Sequence, residues 1–166
     1  MDIYDNHSKW PDNEIHPTAI IHPSTVMGKG NKIGAYSVIG GRGEIRDASD
    51  FKGIVHIGDN NTISELVTIQ RPQVKGQKTA VGDDNLIMAH SHIGHDAIIL
   101  DHCEISTGTI IGGYARIDKG VRIKLKCTIR NRVTIGEKAI IGMGSNVVNN
   151  VLANTIVCGN PAKKMI

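Results

Sequence analysis

Aliphatic residues recur at every sixth position from Ile15 to Ala153. The series runs Ile15, Ile21, Met27, Ile33, Ile39, Ile45, Phe51, Ile57, Ile63, Ile69, Lys75 and Val81. It continues without a polar residue from Ile87 through Ile93, Ile105, Ile117, Ile129 and Ile141 to Val147 and Ala153, so Lys75 alone breaks it. An amphipathic helix returns its apolar face every three or four residues and a single strand every two; a period of six therefore demands a short strand and a corner in each repeat. Four residues after each leader the side chain is usually small, as at Ala19, Thr25, Ser37, Ser91, Ala97, Cys103, Thr109, Ala115, Ala139 and Ser145, which suits the inside of a narrow prism. Directly after the leader comes glycine at Gly28, Gly34, Gly40, Gly58, Gly76, Gly82, Gly94, Gly112, Gly136 and Gly142, where the chain is expected to turn.

Together these positions predict an all-β fold, a hexapeptide-repeat parallel β-helix folded as a triangular prism. Three hexads close one coil, so residues eighteen apart stack at the interstrand spacing of about 4.8 Å. The stacked Ile column is the core, each buried Ile contributing roughly 1.5 to 3 kcal/mol, and each coil is stabilised through its neighbours. The 166 residues read as one domain: 1–14 an N-terminal cap segment, 15–158 the β-helix and 159–166 a C-terminal tail. Charge, glycine and proline concentrate in two stretches, Gly40 to His56 and Gln70 to Ala80, and predict excursions from the prism although the register runs through both. Loops on a rigid scaffold are where binding groups are usually placed.

The formal charge of +3 is small and dispersed and gives no support to nucleic-acid binding. Two basic clusters stand out, Arg122, Lys124, Lys126, Arg130 and Arg132, then Lys163 and Lys164. The three cysteines, Cys103, Cys127 and Cys158, are widely spaced and read as free thiols of a cytoplasmic protein. Met1 to Glu14 is acidic and polar, neither a signal peptide nor a membrane anchor.

Chemistry concentrates in Val-Gly-Asp-Asp-Asn-Leu-Ile-Met-Ala-His-Ser-His-Ile-Gly-His-Asp, residues 81–96, which holds His90, His92 and His95. An imidazole titrates near neutrality and suits a general base. Asp96 adjoins His95. Gly113 stacks one coil above His95, Tyr114 above Asp96 and Lys78 below it, all by the eighteen-residue step. A backbone N–H beside glycine is open to a developing oxyanion.

This segment and Ile57-Gly-Asp-Asn-Asn-Thr-Ile-Ser-Glu-Leu-Val-Thr-Ile69 resemble the UDP-N-acetylglucosamine O-acyltransferases of lipid A biosynthesis, over about residues 15 to 160. The resemblance implies left-handed winding and a homotrimer with its site between neighbouring helices. It implies His95 as the base with Asp96 beside it, His92 as a substrate contact, and the Gly113 N–H facing the oxyanion. Positions where that family carries further substrate histidines hold Gln70, Tyr114 and Arg130. The segment Val157-Cys-Gly-Asn-Pro-Ala-Lys163-Lys resembles the ending of hexapeptide acetyltransferases that use acetyl-CoA, which makes Lys163, with Lys164 beside it, a candidate phosphate contact. The expected activity is acyl transfer to a hydroxyl or amine of a sugar or nucleotide sugar, in surface-glycan synthesis. The donor is acetyl-CoA or another acyl thioester, with acyl carrier protein as a possible partner, and no metal or membrane span is expected. One alternative is a zinc-dependent γ-type carbonic anhydrase, disfavoured because Leu100 stands five residues after His95 where a second ligand belongs. The other is a non-catalytic β-helix scaffold.

Overall fold

The computed structural model describes residues 6–45 and 53–165. Short strands stack into three parallel sheets that form the faces of a left-handed triangular prism. The first face runs from Glu14–Ile15 through Leu86–Ile87 and Glu104–Ile105 to Ile156–Cys158; the second runs from Ile20–Ile21 through His92–Ile93 to Asn146–Val147; the third runs from Val26–Met27 through Ile98–Ile99 to Thr134–Ile135. Most strands are two residues long, the first facing out and the second in, and the inner residues from Ile87 to Ile123 are almost completely buried. At the lower end Trp10, after the helical turn Asn6–Lys9, is buried against the same core.

The small interior positions are filled as the repeat predicts, with one addition. Asn31, Asn61 and Asn85 occupy this position on one corner and are fully buried. Asn31 Nδ2 donates to Asn13 Oδ1, Asn61 Nδ2 to Asn31 Oδ1 and Asn85 Nδ2 to Asn61 Oδ1; the Cys103 N–H donates to Asn85 Oδ1. The column thereby satisfies polar groups that would be costly to bury unpaired.

Two expectations about the register are corrected. The glycine after the leader is seldom where the chain turns: the left-handed residues lie two positions later, among them His90, Asp96 and Tyr114, each with φ of 59°. A glycine after the leader is instead required by the neighbouring coil, since a Cβ on Gly94 would lie 2.7 Å from the Gly113 nitrogen. Ile45, Lys75 and Ala153 are exposed rather than stacked, and Phe51 lies outside the described residues. Met27 pairs with Ile57, thirty residues on instead of eighteen, and Ile57 with Val81, twenty-four on. Excursions of twelve and six residues therefore leave the prism and return in phase, as the loop composition suggested. At the top, Val151 bridges to Ile135 and Val157 pairs with Ile141, each sixteen residues on, so the corner at 148–150 is two residues short.

Candidate active site

The site lies on the corner that follows the second face. The strand His92–Ile93 pairs with Thr68–Gln70 below and Ile110–Ile111 above, which stacks Gln70 under Gly94 and sets Gly113 over His95. Both excursions return at this corner. The Arg71 N–H donates to the Gly41 carbonyl, and a Cβ on Gly43 would meet the Gln73 side chain, so the two loops touch.

The second loop folds over Asp96. Its Gln73 N–H donates to Asp96 Oδ2 at 3.0 Å, the same oxygen that lies 2.8 Å from His95 Nδ1. Thr79 Oγ1 accepts the Asp96 N–H, and Gln70 Oε1 accepts that of His95. His95 is 7% and Asp96 6% exposed. A carboxylate on one ring nitrogen keeps the proton there and leaves the lone pair on Nε2. That nitrogen faces Gly113, where a Cβ would sit only 2.8 Å from it. Among the described residues the Gly113 N–H makes no hydrogen bond, and the missing Cβ of Gly94 leaves its nitrogen uncovered. Tyr114 packs edge-on against the His95 ring at 5.1 Å, and the Arg132 guanidinium lies 4.1 Å from the centre of the Tyr114 ring.

An open groove of about 340 Å³ runs past these atoms, lined by Glu44, Gln70, His92, His95, Gly113 and Asn131 among others. His92 is half-buried on the groove wall with Nδ1 2.7 Å from Thr68 Oγ1. Burial lowers its pKa from the ordinary 6.5, Glu44 works against that shift, and His95 adds to it. Burial raises the Cys103 thiol to about 11 and pushes that of Cys127 upward, so neither acts as a nucleophile near neutrality.

The predicted residues thus fall into two groups. His95, Asp96, Gly113, His92, Gln70 and Tyr114 come together. Lys78 is exposed beside Thr79 without lining the groove, and His90 is exposed on another corner. Arg130 points into a separate hollow two coils up. Lys163–Lys164 folds back antiparallel onto Ile156–Cys158, five strand spacings above Leu86–Ile87, about 24 Å along the axis. Sequence reasoning missed Glu44, Gln73, Thr79 and Asn131. Asn131 was within reach by the eighteen-residue step from Gly113; Glu44 and Gln73, on excursions, have no repeat phase to read. Among the described residues no three His, Cys, Asp or Glu stand together as a metal site, and no helix is long and apolar enough to cross a membrane.

Known proteins resemble the chain in sequence and in fold. The family model for the bacterial transferase hexapeptide (six repeats) matches residues 78–113. An acyl-[acyl-carrier-protein]–UDP-N-acetylglucosamine O-acyltransferase from Pseudomonas putida is 34% identical over 188 residues, covering 91% of this chain and 73% of the relative. The enzyme of the same description from Synechocystis is 32% identical over 144 residues, covering 87% of this chain and 52% of the relative. The crystal structure of LpxA, a UDP-N-acetylglucosamine acyltransferase from Bacteroides fragilis, superposes with a TM-score of 0.90 at 28% identity, covering 93% of this chain and 60% of that one. The chain belongs to the family of acyl-[acyl-carrier-protein]–UDP-N-acetylglucosamine O-acyltransferases. It spans about half the length of the first curated relatives it matches.

Proposed function

We propose that this chain transfers an acyl group from a thioester to a hydroxyl of a nucleotide sugar, with His95 as general base. The observation that carries the reading is the His95 ring, tied through Nδ1 to a buried Asp96 and turned with Nε2 toward the free N–H of Gly113. The acceptor hydroxyl attacks the thioester carbonyl carbon and gives its proton to Nε2. Asp96 stabilises the imidazolium by accepting the Nδ1–H and stays ionised itself. The carbonyl oxygen, now negative, accepts from the Gly113 N–H. Collapse breaks the carbon–sulfur bond, His95 returns the proton to the thiolate, and the products are an ester and a thiol.

The names of the relatives support UDP-N-acetylglucosamine as acceptor and an acyl carrier protein thioester as donor. The acetyl-CoA reading rests on the Gly159-Asn-Pro-Ala-Lys163 ending, whose Lys163 and Lys164 stand several coils above His95. The open groove suits a second copy of the chain as its missing wall, in a homotrimer in the cytoplasm, with 15–158 as the catalytic prism. His95→Ala assayed with acyl carrier protein and CoA thioesters against UDP-N-acetylglucosamine tests the reading. Turnover should fall by about 10² to 10⁴, the usual worth of general base catalysis. A variant within a few-fold of wild type would remove His95 from the mechanism.

A further inference from the structure

Beneath the catalytic groove the same corner holds a smaller hollow of about 150 Å³, lined by Ile20, His22, Val38, Gly41, Arg42 and Arg71 among others. It spans the coils below His95, where both excursions leave or rejoin the wall. Gln70 lines the groove and its neighbour Arg71 lines the hollow. The Arg71 side chain is half-buried, and its Nε–H is sealed from solvent without an acceptor. Among the described residues this guanidinium makes no ion pair, whereas the Arg116 Nε sits 2.8 Å from Asp118 Oδ1. Arg42 brings a second guanidinium to the same walls, which include no Asp or Glu; Glu44 lines the catalytic groove instead. A partly buried cation without a counter-charge is costly, and an anion in the hollow would offset that cost.

Arg71 is also where the two excursions meet. Its N–H donates to the Gly41 carbonyl, and its own carbonyl accepts Gln73 Nε2 at 3.4 Å. Arg42 belongs to the first excursion and Arg71 to the second, so one anion held by both would span them. The walls select its type. A guanidinium fork takes two oxygens of a carboxylate or of a phosphate equally well. Ile20, Val38 and Ile39 make much of the remaining wall aliphatic, where the outer oxygens of a phosphate would lose water and a short alkyl chain would bury apolar surface.

We propose that Arg42 and Arg71 form a binding site for a small aliphatic carboxylate, which bridges the two excursions beneath the catalytic corner. The site uses no atom of the acyl-transfer machinery and stands or falls apart from the role of His95.

NMR titration of the isotope-labelled chain, at neutral pH and fixed ionic strength, tests it. The probes are butyrate, its uncharged counterpart n-butanol, and inorganic phosphate. Butyrate should shift the Gly41 amide resonance saturably and slow hydrogen exchange at the Gln73 N–H. Butanol and phosphate should each bind at least about tenfold more weakly, and R71Q should weaken butyrate by a similar factor. R71K, which keeps the charge and loses the fork, should fall between wild type and R71Q. If R71Q does not fold, R42Q gives the same reading, because that side chain is exposed. Equal binding of butanol would make the hollow merely apolar, and tighter binding of phosphate would make it a phosphate site; either overturns the proposal. No saturable shift with butyrate, or the same shift in the Arg71 variant, overturns it as well. Binding that leaves exchange at Gln73 unchanged would overturn the bridging role.

Discussion

One corner of the prism presents the same two positions at two heights, with opposite outcomes. At the lower level they are His95 and Asp96, both buried; two coils higher they are Asn131 and Arg132, both exposed. The backbone step is the same. What differs is cover: the lower level is roofed by the excursion between Gln70 and Thr79, whose Gln73 N–H holds Asp96, and by the chain near Glu44. The regular coils give these side chains their positions, and the interruptions give them an environment. A carboxylate left in water screens its neighbour weakly, whereas a buried one fixes the tautomer of the ring it touches.

The first way to break this comparison is to attack the regular part. Ile105→Asp puts an unpaired charge at a fully buried core position, and no folded prism is expected by circular dichroism; Val74→Asp, on an exposed loop position, should melt within a degree or two of wild type. Equal melting of the two variants would show that the Ile column does not hold the coils together.

A milder test removes the roof. Deleting 72–77 restores the eighteen-residue step between Ile57 and Val81, so the strands should survive, and loop shortening changes stability by no more than about 1 kcal/mol. Asp96 then loses the Gln73 N–H, and kcat should fall at least about tenfold in the thioester assay. Full activity in the shortened chain would mean that the scaffold alone makes the site.

The smallest effect is one of pH. Because burial holds the folded His92 pKa below the unfolded 6.5, the unfolded chain binds more protons in this window, and the contribution of His92 to stability is present above pH 6.5 and lost as pH falls through the folded pKa. The urea midpoint of wild type should therefore drop more between pH 7.5 and 5.5 than that of His92→Gln. Parallel curves would show that His92 is solvated in the folded protein.

Much of this architecture is legible from residue spacing. Ile87 to Val147 follow the six-residue step without exception, and that step alone places Gly113 over His95. The lower half is harder because both insertions are multiples of six: Ile45 and Lys75 keep the count while standing outside the wall. Phase arithmetic cannot distinguish a coil from a loop of the same length. The same masking hides the asparagine column, since Asn31, Asn61 and Asn85 are thirty and twenty-four apart rather than eighteen. At the top, Val147, Val151 and Val157 carried the signal for the shortened corner, but Ala153 satisfied the repeat equally well.

A solenoid of near-identical coils has a characteristic hazard in folding, which is that any coil can adhere to the wrong neighbour with almost the right contacts. Stacked isoleucines offer no protection, being interchangeable. The asparagine column does, because Asn31, Asn61 and Asn85 each need an amide partner above and below, and the run ends where Cys103 offers only its backbone N–H. A chain displaced by one coil would set Asn61 under Cys103 and bury the Asn85 amide without its Asn61 acceptor. Those few side chains act as an address label in an otherwise repetitive text.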